Sequence, residues 1–186
     1  MATQTVDQTF SVHRFSLEEV MALFDAGLLD DECRYELVDG VLIEMIGPAS
    51  PRHAAIVAWL TKHLVIAAGD TFEVRIQDYL LTADRGFRSP DLIVIEPGVR
   101  DRLPDTALIV IEVAQTSRSR DVGKAAVYAA GRVPEYWIVD VDRDTVLVHR
   151  EPSKDAYASV QTFAPGDMLT PLIDLPPVDV AALLAR

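Results

Sequence analysis

Two carboxylates and an amine are grouped within residues 90–137 of the chain. Asp91 opens one apolar run, and Glu112 lies inside a second apolar run. Lys124 follows on a segment with a helical pattern, where Tyr128 lies four residues later and therefore on the same helical face. Two acids that can bind a divalent cation, followed by a lysine, are the residue types of a metal-dependent phosphodiesterase site.

The two apolar runs predict an antiparallel hairpin that brings the acids together. If residues 90–96 and 107–115 pair around a loop at 97–106, Asp91 lies opposite Glu112. Directly opposed residues have Cβ atoms roughly 4.5–5.5 Å apart on one face of the sheet. Two carboxylates at that separation repel each other unless a cation is bound or one is protonated. A divalent cation with oxygen ligands is the simplest solution.

Each carboxylate also has a purely structural interpretation. Asp91 follows Pro90, so it can simply mark the start of a strand. Glu112 lies in a run that is apolar on both faces, which predicts a buried strand. A buried carboxylate must be paired or metal-bound, and a salt bridge to Lys124 or to an arginine would suffice. Both interpretations stay open at this stage.

Length and composition predict one globular domain. The chain has 186 residues, of which 49% are hydrophobic and 25% charged, so we expect a single domain over 1–186 with a loose arm at 1–14. No apolar run reaches the roughly 18 residues that span a bilayer, and no signal pattern opens the chain. We therefore expect a cytoplasmic protein without a membrane segment. The single cysteine, Cys33, rules out an internal disulfide and a cysteine-based zinc site.

The charge argues against a simple nucleic-acid binder. Lys and Arg number 17 against 29 Asp and Glu, a net charge of −12, whereas nucleic-acid binding requires a basic face. The positive charge is concentrated in one region, however, and could either form such a face or be solvated in loops. The basic residues of that region are Arg85, Arg88, Arg100, Arg102, Arg118, Arg120, Lys124 and Arg132.

A third carboxylate lies on the strongest local signal of the chain. Asp39-Gly40 between alternating apolar residues predicts a two-residue type I′ hairpin turn within 35–45. In that register Glu36 lies opposite Ile43, on the more apolar face of the hairpin. Glu36 is therefore a candidate site residue, and an edge-strand charge is its alternative.

The remaining pattern predicts a mixed sheet flanked by helices, an α/β (α+β mixed sheet) fold. Ser16-Leu-Glu-Glu19 is a capping box that starts the first helix, and Ser50-Pro51 starts the second. His53, in the first turn of that second helix, is expected to be solvated, and contact with a phosphate is its alternative. The segment 83–89 is expected to be a turn. Helices are predicted at 16–26, 50–69, 119–130 and 177–185, and further strands at 72–81, 135–141, 145–150 and 157–163.

Several motifs together resemble the Uma2 family of restriction endonuclease-like proteins, over about residues 15–163. The family is placed in the PD-(D/E)XK nuclease superfamily, whose core is a mixed sheet between helices. The resemblance implies a restriction-endonuclease-like core and an Mg²⁺-dependent (or Mn²⁺-dependent) phosphodiesterase, often homodimeric. The motifs are Tyr35-Glu-Leu-Val-Asp-Gly40, Pro90-Asp91, Ile111-Glu-Val113, Asp121 with Lys124 and Tyr128, and Glu135-Tyr-Trp-Ile-Val-Asp140.

The resemblance also implies roles for individual residues. Asp91 and Glu112 match the two acids that hold the metal, together with the carbonyl oxygen of Val113. Glu36 and Tyr128 match supporting groups of the site. The superfamily pattern has its lysine two residues after the second acid, where this chain has Ala114.

The family supplies that lysine from the following helix instead, where this chain has Lys124. Gln115-Thr-Ser117 also departs from the serine-proline-serine run usual in the family. The resemblance therefore implies an endonuclease that cleaves nucleic acid, with DNA as the expected substrate and Lys124 as the lysine of the site. Two alternatives stay open: an inactive nucleic-acid-binding or regulatory module on the same fold, and a metal-dependent hydrolase of small phosphoesters.

Overall fold

The computed structural model describes residues 11–30, 33–45, 50–115 and 118–186, with the backbone alone at 118–122. The helices are α1 (Leu17–Asp25), α2 (Pro51–Ala68), α3 (Arg118–Ala130) and α4 (Val180–Leu184). The first six strands are β1 (Arg34–Val38), β2 (Val41–Met45), β3 (Glu73–Ile76), β4 (Leu80–Leu81), β5 (Phe87–Arg88) and β6 (Leu92–Ile95). The others are β7 (Ile109–Ala114), β8 (Glu135–Asp140), β9 (Thr145–Pro152), β10 (Tyr157–Phe163), β11 (Met168–Leu169) and β12 (Val178–Asp179).

The described residues form two main sheets and a small two-stranded sheet of β11 and β12. The larger has six strands in the order β10-β9-β8-β7-β6-β3, and the smaller has four in the order β2-β1-β5-β4. In the larger sheet β7 and β8 run parallel and are connected through α3, while its other strand pairs are antiparallel. Mixed pairing with helices on the sheet confirms the fold class predicted from the sequence.

Both faces of the larger sheet are covered, which explains why all six residues of β7 are buried. Ile111 and Val113 pack into a core that α2 and α4 share. Val110 and Ala114 pack into a second core on the side of α3. Because side chains alternate along a strand, Glu112 belongs with Val110 and Ala114 on the α3 side.

Both predicted hairpins form in the predicted register. Glu36 pairs with Ile43, and the turn residues Asp39 and Gly40 have φ of 54° and 75°, as a type I′ turn requires. Leu92 pairs with Ile111 in β6–β7, and the same register continued by one position brings Asp91 opposite Glu112.

The predicted helix starts are confirmed as well. Ser16 and Glu19 form the predicted capping box, and Pro51 occupies the first turn of α2. The predicted loose arm lies outside the described residues as far as residue 10. At its end, Arg14 donates a hydrogen bond to the carbonyl of Asp39, so this part of the arm is attached to the β1–β2 turn.

The single strand predicted at 72–81 is wrong, because the chain turns at Gln77. Gln77 has φ of 52°, a left-handed conformation that interrupts an extended chain. The segment is therefore divided into β3 of the larger sheet and β4 of the smaller sheet. The alternation of apolar and polar residues runs from Phe72 to Gln77 and breaks at Asp78, so the sequence did carry a signal for this turn.

The predicted turn at 83–89 contains the short strand β5, which pairs with β1 at Leu37. A Cβ on Gly86 would lie 1.9 Å from the carbonyl oxygen of Leu37, so only glycine permits this approach.

Near the C-terminus, the predicted helix at 177–185 is shorter than expected, because β12 precedes α4. Among the helices that the structure describes, none is long and apolar enough to cross a membrane.

Candidate active site

Lys124 lies between two carboxylates that belong to different sheets. Its Nζ donates to Glu36 Oε1 at 2.7 Å and to Glu112 Oε1 at 2.8 Å. All three residues are buried, with 5% of Lys124, 3% of Glu36 and 5% of Glu112 exposed. The edge-strand alternative for Glu36 is wrong, since β1 lies between β2 and β5. The cluster therefore joins the two sheets through α3.

The charge of Lys124 is maintained by its neighbours. Burial acts to lower the pKa of Lys124, but the carboxylates of Glu112 and Glu36 outweigh it, and the net shift is upward. Lys124 is therefore an ammonium group and not a general base at neutral pH. The salt-bridge interpretation of Glu112 is confirmed, because Lys124 pairs with its buried carboxylate.

Tyr128 lies one helical turn after Lys124 and adds another hydrogen bond to Glu112. Its hydroxyl donates to Glu112 Oε1 at 3.1 Å, and its ring lies 4.8 Å from the ring of Tyr136. Burial, followed by the charges of Glu112 and Glu36, raises the pKa of Tyr128 well above its ordinary value. The phenol therefore stays protonated and orients the carboxylate as a hydrogen-bond donor.

Asp91 forms a second cluster at the start of β6. Its Oδ2 accepts from the backbone N–H of Val113 at 2.9 Å and lies 3.1 Å from His53 Nε2, while Oδ1 lies 3.2 Å from Arg34 Nη1. Burial acts to raise the pKa of Asp91, but these hydrogen bonds and the charges of His53 and Arg34 lower it overall. Asp91 is therefore an ionised carboxylate.

His53 is not the solvated side chain predicted from the sequence. Only 15% of its side chain is exposed, because the first turn of α2 lies beside Asp91. Its Nδ1 is buried without a hydrogen-bond partner among the described residues. A single histidine in a first helical turn gives no periodic signal, so the sequence offered no way to identify this contact.

Arg34 is a second site residue that the sequence reasoning missed. Its guanidinium binds Asp91, the Ser89 hydroxyl at 3.1 Å and the Ser89 carbonyl. A signal for it does exist. Arg34 lies two residues before Glu36 on β1. Because residues two apart on a strand share a face, Arg34 lies on the same face of β1 as Glu36, which the sequence already identified as a candidate.

The acids provide a donor set that fits Mg²⁺ or Mn²⁺. Asp91 and Glu112 each lie one residue beyond Leu92 and Ile111, the last pair of the β6–β7 register, and Val113 has a backbone carbonyl next to Glu112. Across the described ranges, no group of three or more His, Cys, Asp or Glu side chains lies close enough to hold a metal ion. Mg²⁺ does not require such a cage, since it binds through one or two carboxylates and keeps several waters. Oxygen ligands from two carboxylates and one carbonyl therefore fit this cation.

The basic region of the sequence does not form a uniform basic surface. Arg88 is buried, donating to the Leu37 carbonyl at 2.7 Å and to Asp84 at 2.6 Å, and Lys124 is buried in the site. Both therefore have structural partners. Arg118 and Arg120 have side chains outside the described part of the chain. The exposed members are Arg85, Arg100, Arg102 and Arg132.

Comparisons with known proteins concern the fold and the family of the chain. No curated protein matches the chain. A crystal structure described as a putative nuclease belonging to DUF820, from Anabaena variabilis, has the same fold, with a TM-score of 0.68 and 17% identity over 92% of this chain and 98% of that one. The model of the Uma2 family, described as "Putative restriction endonuclease", matches residues 17–182. The chain therefore belongs to the Uma2 family.

Proposed function

We propose that the protein is an endonuclease that uses Mg²⁺ or Mn²⁺ to hydrolyse phosphodiester bonds of nucleic acid, and that its substrate is DNA. The family description supports a nuclease as the class of activity. The observation that carries the proposal is the buried contact of Lys124 with Glu112 at 2.8 Å. This contact supplies a lysine to the site although Ala114 occupies the usual lysine position.

Asp91, Glu112 and the carbonyl oxygen of Val113 would hold the metal. A divalent cation bound there polarises a phosphoryl oxygen and acidifies a water molecule. Val113 supports both acids, because its N–H orients Asp91 while its neighbour along β7 is Glu112. The two carboxylates are therefore held by the same strand segment.

Lys124 would orient the attacking water and stabilise negative charge on the transition state. A preoriented ammonium in a buried site is far more effective at this than one in water. Glu36 and Tyr128 would support the arrangement. Glu36 contributes to the raised pKa of Lys124, and Tyr128 orients Glu112.

A hydrolase of small phosphoesters is the second candidate. The net charge of −12 favours it, because a small substrate does not require an extended basic surface. An inactive binding module is the third possibility, and Ala114 is the feature that favours it.

A cleavage assay separates these candidates. Purified protein is incubated with single-stranded, double-stranded and branched DNA and with a small phosphodiester, in Mg²⁺ or Mn²⁺. Asp91→Ala is compared with Asp155→Ala, since Asp155 is an exposed loop carboxylate. We expect the wild-type protein and Asp155→Ala to cleave DNA and Asp91→Ala not to. Turnover of the small phosphodiester alone would support the small-phosphoester hydrolase. No turnover of any substrate would support the inactive binding module. Equal cleavage by all three proteins would indicate a contaminating nuclease.

A further inference from the structure

A groove of about 480 Å³ lies between α2 and the end of β3, next to Asp91. Ala54, Ala58 and Lys62 of α2 line one side, and Ile76 and Gln77 line the other. Its size lies within the range of roughly 300–1,000 Å³ typical of sites for small ligands. The groove can therefore hold a group of the size of one nucleotide.

The groove is continuous with the candidate active site at two points. His53 lines the groove and also lies 3.1 Å from Asp91 Oδ2. The backbone N–H of Gln77 donates to the carbonyl oxygen of Asp91 at 3.0 Å. A strand whose scissile phosphate lies at Asp91 would therefore reach the groove with its adjoining nucleotide.

The lining has the chemistry of a nucleotide site. No acidic side chain lines the groove among the described residues, although the chain carries a net charge of −12. Lys62 is exposed at one end and provides a positive charge for a phosphate. The aliphatic surface of Ala54, Ala58 and Ile76 provides an apolar floor for a sugar or a base.

Gln77 adds a side-chain amide that can form hydrogen bonds with the base of a nucleotide. Its φ of 52° is uncommon for a residue other than glycine, asparagine or aspartate, and such conformations cluster at functional sites. The side-chain amide can both donate and accept hydrogen bonds, as amides do at base edges. The left-handed backbone places this amide at the groove.

We propose that this groove binds the nucleotide next to the scissile phosphodiester in an unpaired DNA strand. The inference deepens the proposed function and rests on it. Lys62 contacts the flanking phosphate, Ala54, Ala58 and Ile76 contact the sugar and base, and Gln77 hydrogen-bonds the base. A groove of this volume has room for one unstacked nucleotide, so we expect the protein to bind single-stranded DNA more tightly than duplex DNA.

The test fills the groove without altering the acids. Ala58→Leu adds bulk to the floor, and Ala55→Leu is the matched control, because Ala55 is exposed on the same helix but does not line the groove. Binding of fluorescein-labelled single-stranded and duplex oligonucleotides is measured by anisotropy without divalent metal, and cleavage kinetics are measured separately with Mg²⁺. We expect Ala58→Leu to weaken binding roughly tenfold or more and to raise KM with little change in kcat. Ala55→Leu should bind like the wild type.

Lys62→Gln provides a second, independent measurement. The logarithm of the affinity falls with the logarithm of salt concentration, with a slope of about 0.7 per phosphate contact for single strands. Loss of one contact should therefore reduce the slope by about 0.7. Lys154→Gln, at an exposed lysine far along the chain in the β9–β10 hairpin, should leave the slope unchanged.

The outcomes distinguish the groove from the proposed function. Wild-type binding by Ala58→Leu, an unchanged salt slope in Lys62→Gln, or equal sensitivity of duplex and single-strand binding to Ala58→Leu would each overturn the groove assignment. Weakened single-strand binding in both groove variants, with no cleavage by any protein, would support the groove as a nucleotide site and overturn the nuclease.

Discussion

Lys124 Nζ lies 2.7 Å from Glu36 Oε1, although 88 residues separate the two in the sequence. Glu36 belongs to the smaller sheet, and Lys124 belongs to the helix that connects two strands of the larger sheet. The contact therefore forms only when the two sheets are packed together. As a result, this part of the site is assembled only in the folded chain.

Lys124→Met should destabilise the protein by about 3–5 kcal/mol, because Glu36 and Glu112 would remain as buried charges without their ammonium partner. Urea unfolding at neutral pH measures the change. Adding Glu36→Gln to Lys124→Met should recover part of the loss, since it removes one of the two repelling charges. Lys154→Met is the control at an exposed lysine. A loss below about 1 kcal/mol, the value of a surface ion pair, would contradict the buried arrangement.

Tyr128→Phe should lower metal affinity or cleavage rate by about 10- to 100-fold, the usual effect of removing a hydrogen bond that orients a metal ligand. The fold should be retained, because the ring stays packed on Tyr136. Tyr157→Phe is a matched control, since the Tyr157 hydroxyl donates to the Val133 carbonyl at 2.9 Å, away from Glu112. Equal activity losses in the two variants would show that Tyr128 has no specific role.

Asp91 should make the free energy of unfolding depend on pH in the acidic range. The pKa of Asp91 is lowered in the folded state, so its stabilising contribution is complete above its unfolded pKa of about 3.9 and is lost as the pH falls through the folded pKa. The difference in unfolding free energy between wild type and Asp91→Asn should therefore be largest near pH 7 and decrease below about pH 4. Urea unfolding across this range measures it, with Asp155→Asn as a control that should show no such trend. A constant difference would mean that the charge of Asp91 is not what stabilises the fold.

Sequence reasoning succeeded where local signals define the geometry. The Asp39-Gly40 turn fixes the register that turns Glu36 inward, and the apolar runs around Asp91 and Glu112 fix the register of the second hairpin. Helical spacing then brings Lys124 and Tyr128 to one face. These local constraints were sufficient to predict that Glu36 is turned inward and that Lys124 and Tyr128 share a face, whereas the roles of these residues stay a prediction.

Other site residues depend on tertiary contacts with no local signal. His53 reaches Asp91 only because α2 packs across the larger sheet. Arg34 reaches it because Gly86 allows a two-residue strand to pair with β1, and a strand of that length has no measurable periodicity. Gln77 is a different case, because the break in alternation at Asp78 was a local signal for its turn.

The homodimer implied by the family stays a prediction. The chain has a mass of 20.5 kDa, so light scattering coupled to size exclusion should give about twice that value. A mass equal to one chain at micromolar concentration would contradict it.

The most direct test of the site is the cleavage rate of Glu112→Gln in Mg²⁺. This substitution retains the shape of the side chain and removes the charge that would hold the metal beside Lys124. Glu96→Gln is the control, because Glu96 is an exposed carboxylate directly after β6. We predict that wild type and Glu96→Gln cleave DNA when Mg²⁺ is present and stop when it is chelated, while Glu112→Gln stays folded and shows only background cleavage. Cleavage by folded Glu112→Gln at the wild-type rate would contradict the assignment of the site.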